Sequence, residues 1–95
     1  MKAARIFYDK TVLPDGAIVE MVLWQVAAPV VGSRHNLKYR LYYGRAGEPI
    51  VGYDNERGKG DHRHLRDVEM NYEFVGPDQL VADFLADVAR ERGQK

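Results

Sequence analysis

Ninety-five residues with 45% hydrophobic and 29% charged content describe one modest globular domain, spanning residues 1–95. There is no cysteine, which excludes a disulfide framework and any thiolate metal site. The formal net charge is zero, and no apolar run approaches the length of a signal peptide or a membrane span, so a soluble cytoplasmic protein is expected.

The charge is unevenly spread. Residues 34–66 carry eight Lys/Arg against four acids, whereas residues 67–95 carry three against seven. The basic middle third also holds all three histidines, together with Tyr39, Tyr42, Tyr43 and Tyr53. Cations interleaved with aromatics suit a polyanion with bases to stack, and equally an ordinary solvated surface.

In chain order, Ala4–Asp9 alternates as a strand, and Leu13-Pro14-Asp15-Gly16-Ala17 is a turn. Ala17–Val26 is apolar on both faces, as in a central strand, and should pair with the first as a hairpin; Trp24 within it reads as core. Glu20 is the odd acid there, with Arg40 as a candidate partner. The segment AAPVVGSRHN is a loop, which puts His35 at the surface. Leu37–Tyr43 alternates with Lys38, Arg40 and Tyr42 on one side. A short strand follows at Pro49–Tyr53, and another at Val68–Phe74. Gly76-Pro77-Asp78 starts a helix, and Gly93 stops it. Leu80, Val81, Phe84, Leu85 and Val88 form its apolar stripe, with Asp83, Asp87 and Glu91 on a solvated opposite face. The fold expected is α+β: an antiparallel sheet of about five strands with one C-terminal helix packed on a face. The other face, bearing Lys38 and Arg40, should be open or meet a second copy.

Between the last two strands lies the polar segment YDNERGKGDHRH, residues 53–64. On extended backbone His62 and His64 project to the same side. Two imidazoles beside one phosphate can divide the work of RNA cleavage, one taking the 2′-OH proton and the other protonating the leaving 5′-oxygen. In that reading Lys59, Arg57 and Arg63 hold the phosphate, Gly58 and Gly60 let backbone amides approach it, Asp54 or Asp61 fixes a histidine tautomer, and Tyr53 stacks or donates. Lys38 and Arg40 extend the nucleic-acid surface. This chemistry needs no cofactor and no metal. A divalent cation on His-x-His and Asp is the rival, opposed by the surrounding Lys and Arg. A solvated loop is the plain alternative.

The blocks DGAIVEMVLW, KYRLYYGR, IVGYDNERGKGDHRH and ADFLADV resemble the TumE-type toxin family of prokaryotic toxin–antitoxin loci, over nearly the whole chain. The motif positions are Tyr53, Asp54, Asn55, Gly58, Lys59, Gly60, His62 and His64; Leu65-Arg66 stand where relatives often carry an aromatic. The resemblance implies a small cytoplasmic toxin acting on RNA, encoded beside a helix-turn-helix antitoxin. An endoribonuclease is one expectation. A non-catalytic RNA- or protein-binding module is the other, with a homodimer plausible through the open sheet.

Overall fold

A computed structural model describes residues 3–56 and 58–93. Six strands form one antiparallel meander in the order β1 (Ala3–Val12), β2 (Ile18–Val26), β3 (Leu37–Arg45), β4 (Glu48–Glu56), β5 (Gly60–Leu65) and β6 (Val68–Asn71). The helix α1 (Pro77–Glu91) follows and crosses one face. The α+β class is as the pattern predicts. The additional strand comes from the polar segment itself, which is a hairpin: β4 runs three residues further than its apolar signal, and β5 carries the two histidines. Its composition hides it because it is short of apolar side chains, while strand formation here needs only backbone pairing to β4 and β6.

Period-two alternation sorts the side chains. Val19, Met21 and Leu23 of β2, Leu37, Tyr39, Leu41 and Tyr43 of β3, and Val51 and Tyr53 of β4 meet Leu80, Phe84 and Val88 of α1 in the core. Pro77 occupies the first turn of α1, where its missing N–H costs nothing, and Asp78 complements the helix dipole there. At the other end the Gly93 N–H bonds back to the Arg90 carbonyl with φ +79°, a left-handed conformation that glycine adopts without strain.

Two expectations about α1 are corrected. Asp87 is not solvated but 1% exposed, and Leu85 is exposed rather than core. The reason is partnership: Asp87 accepts hydrogen bonds from Tyr53 and, twice, from Arg63 on the strands beneath. Asp83 likewise accepts from Tyr72 Oη at 2.6 Å. The acidic stripe is thus turned toward the sheet's cations and phenols. The helix is too short to cover the whole sheet, so Ile6, Phe7, Tyr8 and Val12 of β1 stay exposed.

Candidate active site on the open sheet face

The strand register builds the site. Arg40, Asp54, His62 and Asn71 are successive cross-strand partners on β3, β4, β5 and β6. Tyr42, Gly52, His64 and Glu69 form the adjacent row. Partners and residues two apart share a face, so these side chains crowd one patch on the side away from α1. Gly52 leaves a gap between Tyr42 and His64. Arg40, Tyr42, Asp54, His64 and Arg66 line the resulting depression of about 280 Å³.

The histidine rings lie with centroids 6.0 Å apart. His62 is inserted between two carboxylates: its Nδ1 is 3.3 Å from Asp54 Oδ1 and its Nε2 is 3.4 Å from Glu69 Oε2. His64 Nε2 lies 3.9 Å from the same Asp54 oxygen. The side chain of His62 is 6% exposed and that of His64 39%. His64 is therefore the imidazole a substrate meets first, and Asp54 sits between the pair. Asp54, not Asp61, is the carboxylate beside the histidines.

Beside this patch, Trp24 is half-buried on the open face with Lys38 Nζ 5.2 Å from its ring centre, a cation–π pair rather than a core residue. Glu20 accepts from Tyr8 Oη at 3.2 Å instead of meeting Arg40.

Other residues of the segment go elsewhere. Odd positions of β5 face the helix, so Arg63 donates to Asp87 through Nε and Nη2 at 2.7 Å each, and Tyr53 Oη donates to it at 2.5 Å. Burial raises the Tyr53 hydroxyl above its ordinary value. Tyr53 and Arg63 hold the helix to the sheet and do not reach the histidine patch. Lys59 projects from the β4–β5 turn and lines a separate cavity of about 440 Å³ with Arg34, His35, Tyr72 and Phe74. Gly58 spends its amide on the Val31 carbonyl at 2.6 Å. Gly60 has φ +80°, and a Cβ there would lie 2.8 Å from the Gly32 carbonyl oxygen, so its role is close packing of the β2–β3 loop. Arg57 lies outside the described residues.

Sequence reading missed a second polar cluster. Asp61 accepts from Ser33 Oγ at 2.5 Å, His35 Nε2 at 2.7 Å and Tyr39 Oη at 2.7 Å. His35 Nδ1 accepts the Leu37 N–H, and the ring stacks on Phe74 with centroids 3.7 Å apart. Asn55, 1% exposed, accepts from the Tyr39 N–H and donates to Ser33 and to the Leu37 carbonyl. Burial first, then the Asp61 carboxylate, pushes the Tyr39 hydroxyl far above its ordinary value. The cluster pins the β2–β3 loop to β4 and β5, and gives the motif's Asn55, together with Asp61, a fold-forming role. The hydrogen bonds made by Asp61 and Asn55 span 16 to 28 residues, so no local spacing announces them.

No helix among the described residues is long and apolar enough to cross a membrane. The family model described as toxin TumE matches residues 2–92, and the chain belongs to that family. Comparisons with curated proteins and with solved structures give no match.

Proposed function

We propose, starting from the chain's place among the TumE toxins, that this toxin of a toxin–antitoxin pair inhibits growth by cutting RNA on its open sheet face. The observation that carries the reading is the pairing of His62 and His64 around Asp54, at a depression on the face away from the helix that Asp54 and His64 line with the cations Arg40 and Arg66. His64, half-exposed, removes the 2′-OH proton; the 2′-oxygen attacks phosphorus and a 2′,3′-cyclic phosphate forms. The leaving 5′-oxygen takes its proton from His62, whose ring nitrogens face the carboxylates of Asp54 and Glu69. Arg40 and Arg66 stabilise the charge that grows on the phosphoryl oxygens. Lys38 and Trp24 flank the patch and offer the next nucleotides a cation and a stacking surface. Acid–base chemistry of this kind runs without a metal ion.

The partner is a cognate antitoxin, and a helix-turn-helix protein acting with the toxin in the cytoplasm is the class this reading assigns. Strand β1 supports a docking role: it pairs only with β2 among the described residues and exposes Ile6, Phe7, Tyr8 and Val12.

A second reading has its own support. The Trp24–Lys38 pair suits a module that grips RNA without cutting it. The assay that separates the two is cleavage of RNA by the purified protein in excess EDTA, beside His62→Ala and His64→Ala. Cutting by the wild type alone supports catalysis. Salt-sensitive binding without products replaces it with the binding module. Growth inhibition that survives both substitutions refutes the histidine site.

A further inference from the structure

Three ligand-type atoms, one each from Asp54, His62 and His64, converge on one point of the open face, all within 4.8 Å of one another. Two of the separations are 3.3 and 3.9 Å. Donors about 2.0–2.1 Å from a tetrahedral zinc are about 3.3 Å apart, a spacing the Asp54–His62 pair already has and the Asp54–His64 pair, at 3.9 Å, reaches by closing about 0.6 Å. The surroundings of His62 also admit a cation: with the ring proton on Nε2 and donated to Glu69, Nδ1 and Asp54 Oδ1 present lone pairs to one point, which a second proton or a metal ion can occupy. A carboxylate behind a ligating histidine is also the usual device for presenting its other nitrogen to a metal.

The fold removes the objection raised by the sequence. The cations that surround His-x-His along the chain do not surround it in space. Arg63 is bound to Asp87 on the opposite face, and Lys59 lines a different cavity. Arg66 lines the same depression but is paired with Glu91 at 3.0 Å. Arg40 stays as the cross-strand partner of Asp54, against the two carboxylates Asp54 and Glu69.

We infer that Asp54, His62 and His64 bind one divalent transition-metal ion of the zinc type, with Glu69 as the positioning residue behind His62 and the fourth coordination position open to the depression. Two imidazoles and one carboxylate suit Zn²⁺ and its mimic Co²⁺ better than Mg²⁺ or Ca²⁺, which prefer oxygen ligands. The consequence for cleavage rests on the function proposed above. A bound ion occupies the lone pair that His64 needs as a base, so zinc silences the toxin reversibly.

The test begins with metal alone. Purified full-length protein freed of metal is titrated with Co²⁺ and followed by its visible absorption. One equivalent should give the intense bands of a tetrahedral complex, displaced by Zn²⁺. Asp54→Asn and His64→Gln, both at sites with exposed surface and so tolerant in folding, should lose the bands. Glu69→Gln should keep them with about 10–100-fold weaker affinity. His35→Gln, in the other cluster, should leave them intact. Absence of the bands in the wild type, or their survival in both Asp54→Asn and His64→Gln with circular dichroism unchanged, overturns the site. RNA cleavage is then measured in EDTA with and without stoichiometric Zn²⁺. Loss of cutting on adding zinc supports the silencing role, and cutting that requires zinc overturns it. Absence of cutting in both conditions refutes the RNA-cleavage reading and the silencing built on it, whereas metal binding is decided by the titration.

Discussion

Asp87→Ala should be the most damaging single change at the helix–sheet interface. The carboxylate is 1% exposed and accepts from Arg63 Nε, Arg63 Nη2 and Tyr53 Oη, with Arg90 adding a further pair from the helix. Removing it strands the Arg63 guanidinium without its counter-charge. Breaking a buried ion pair costs about 3–5 kcal/mol. The Arg63 side chain is 26% exposed and recovers some hydration, which argues for the lower end, about 3 kcal/mol. The Tyr53 hydroxyl left without its acceptor adds about 1 kcal/mol. Arg90, 61% exposed, simply returns to water. The sum of about 4 kcal/mol is a large part of a small domain's stability and lowers Tm by about 15–30 °C. Thermal melts by circular dichroism, with urea midpoints at constant m-value, measure it. Asp83→Ala is the comparison on the same helix: it frees Tyr72 and Gln79 at a more exposed position, and should cost about 1 kcal/mol. Replacing both charges together, as Arg63→Met with Asp87→Leu, should recover most of the loss, because an apolar pair has no charge to strand. Melting of Asp87→Ala within about 3 °C of the wild type would refute the reasoning and return Arg63 to the list of candidate RNA contacts.

Alkaline unfolding is the second expectation. Burial first, with nearby carboxylates adding to it, raises the hydroxyls of Tyr39, Tyr53 and Tyr72 in the folded chain. Both states keep these protons below about pH 10; above it the unfolded chain releases them first, so stability falls as pH rises, by up to about 1.4 kcal/mol per pH unit for Tyr39. Tyr39→Phe should flatten that slope in urea titrations between pH 9 and pH 11. Gly58→Ala and Gly60→Ala should separate clearly although both positions have positive φ. The first meets open space and costs about 1 kcal/mol of backbone strain; the second drives its Cβ against the Gly32 carbonyl and should cost at least twice that in a urea midpoint comparison. On the open face, Lys38→Ala and Arg40→Ala should each reduce the slope of log K against log salt for single-stranded RNA by about 0.7, with unchanged binding in both variants counting against the surface.

Much of this molecule follows from local pattern. Alternation in Leu37–Tyr43 sorts Lys38, Arg40 and Tyr42 from the core, because successive side chains on a strand must face opposite ways. The same rule places His62 and His64 together and Arg63 apart from them. Pro77 and Gly93 mark the ends of α1 because proline needs no N–H partner in the first turn and glycine takes the left-handed conformation that ends a helix. The conspicuous polar segment, residues 53–64, is a hairpin whose two faces have different tasks. One face carries the histidine patch, and the other ties down the helix. Only the tertiary structure decided which acid each cation or imidazole would meet. Asp54 lies between the histidines through strand register, Asp87 is buried by Tyr53 and Arg63 from 34 and 24 residues away, and Asp61 gathers Ser33, His35 and Tyr39 across 22 to 28 residues. Apolar neighbours along the chain point Trp24 to the core, yet it faces out because the helix covers the opposite side of the sheet. Backbone sterics act between neighbours and are written in the sequence one turn or one pleat at a time. Hydrogen bonds and ion pairs act between whatever the fold brings within about 3 Å, and no spacing along the chain records that.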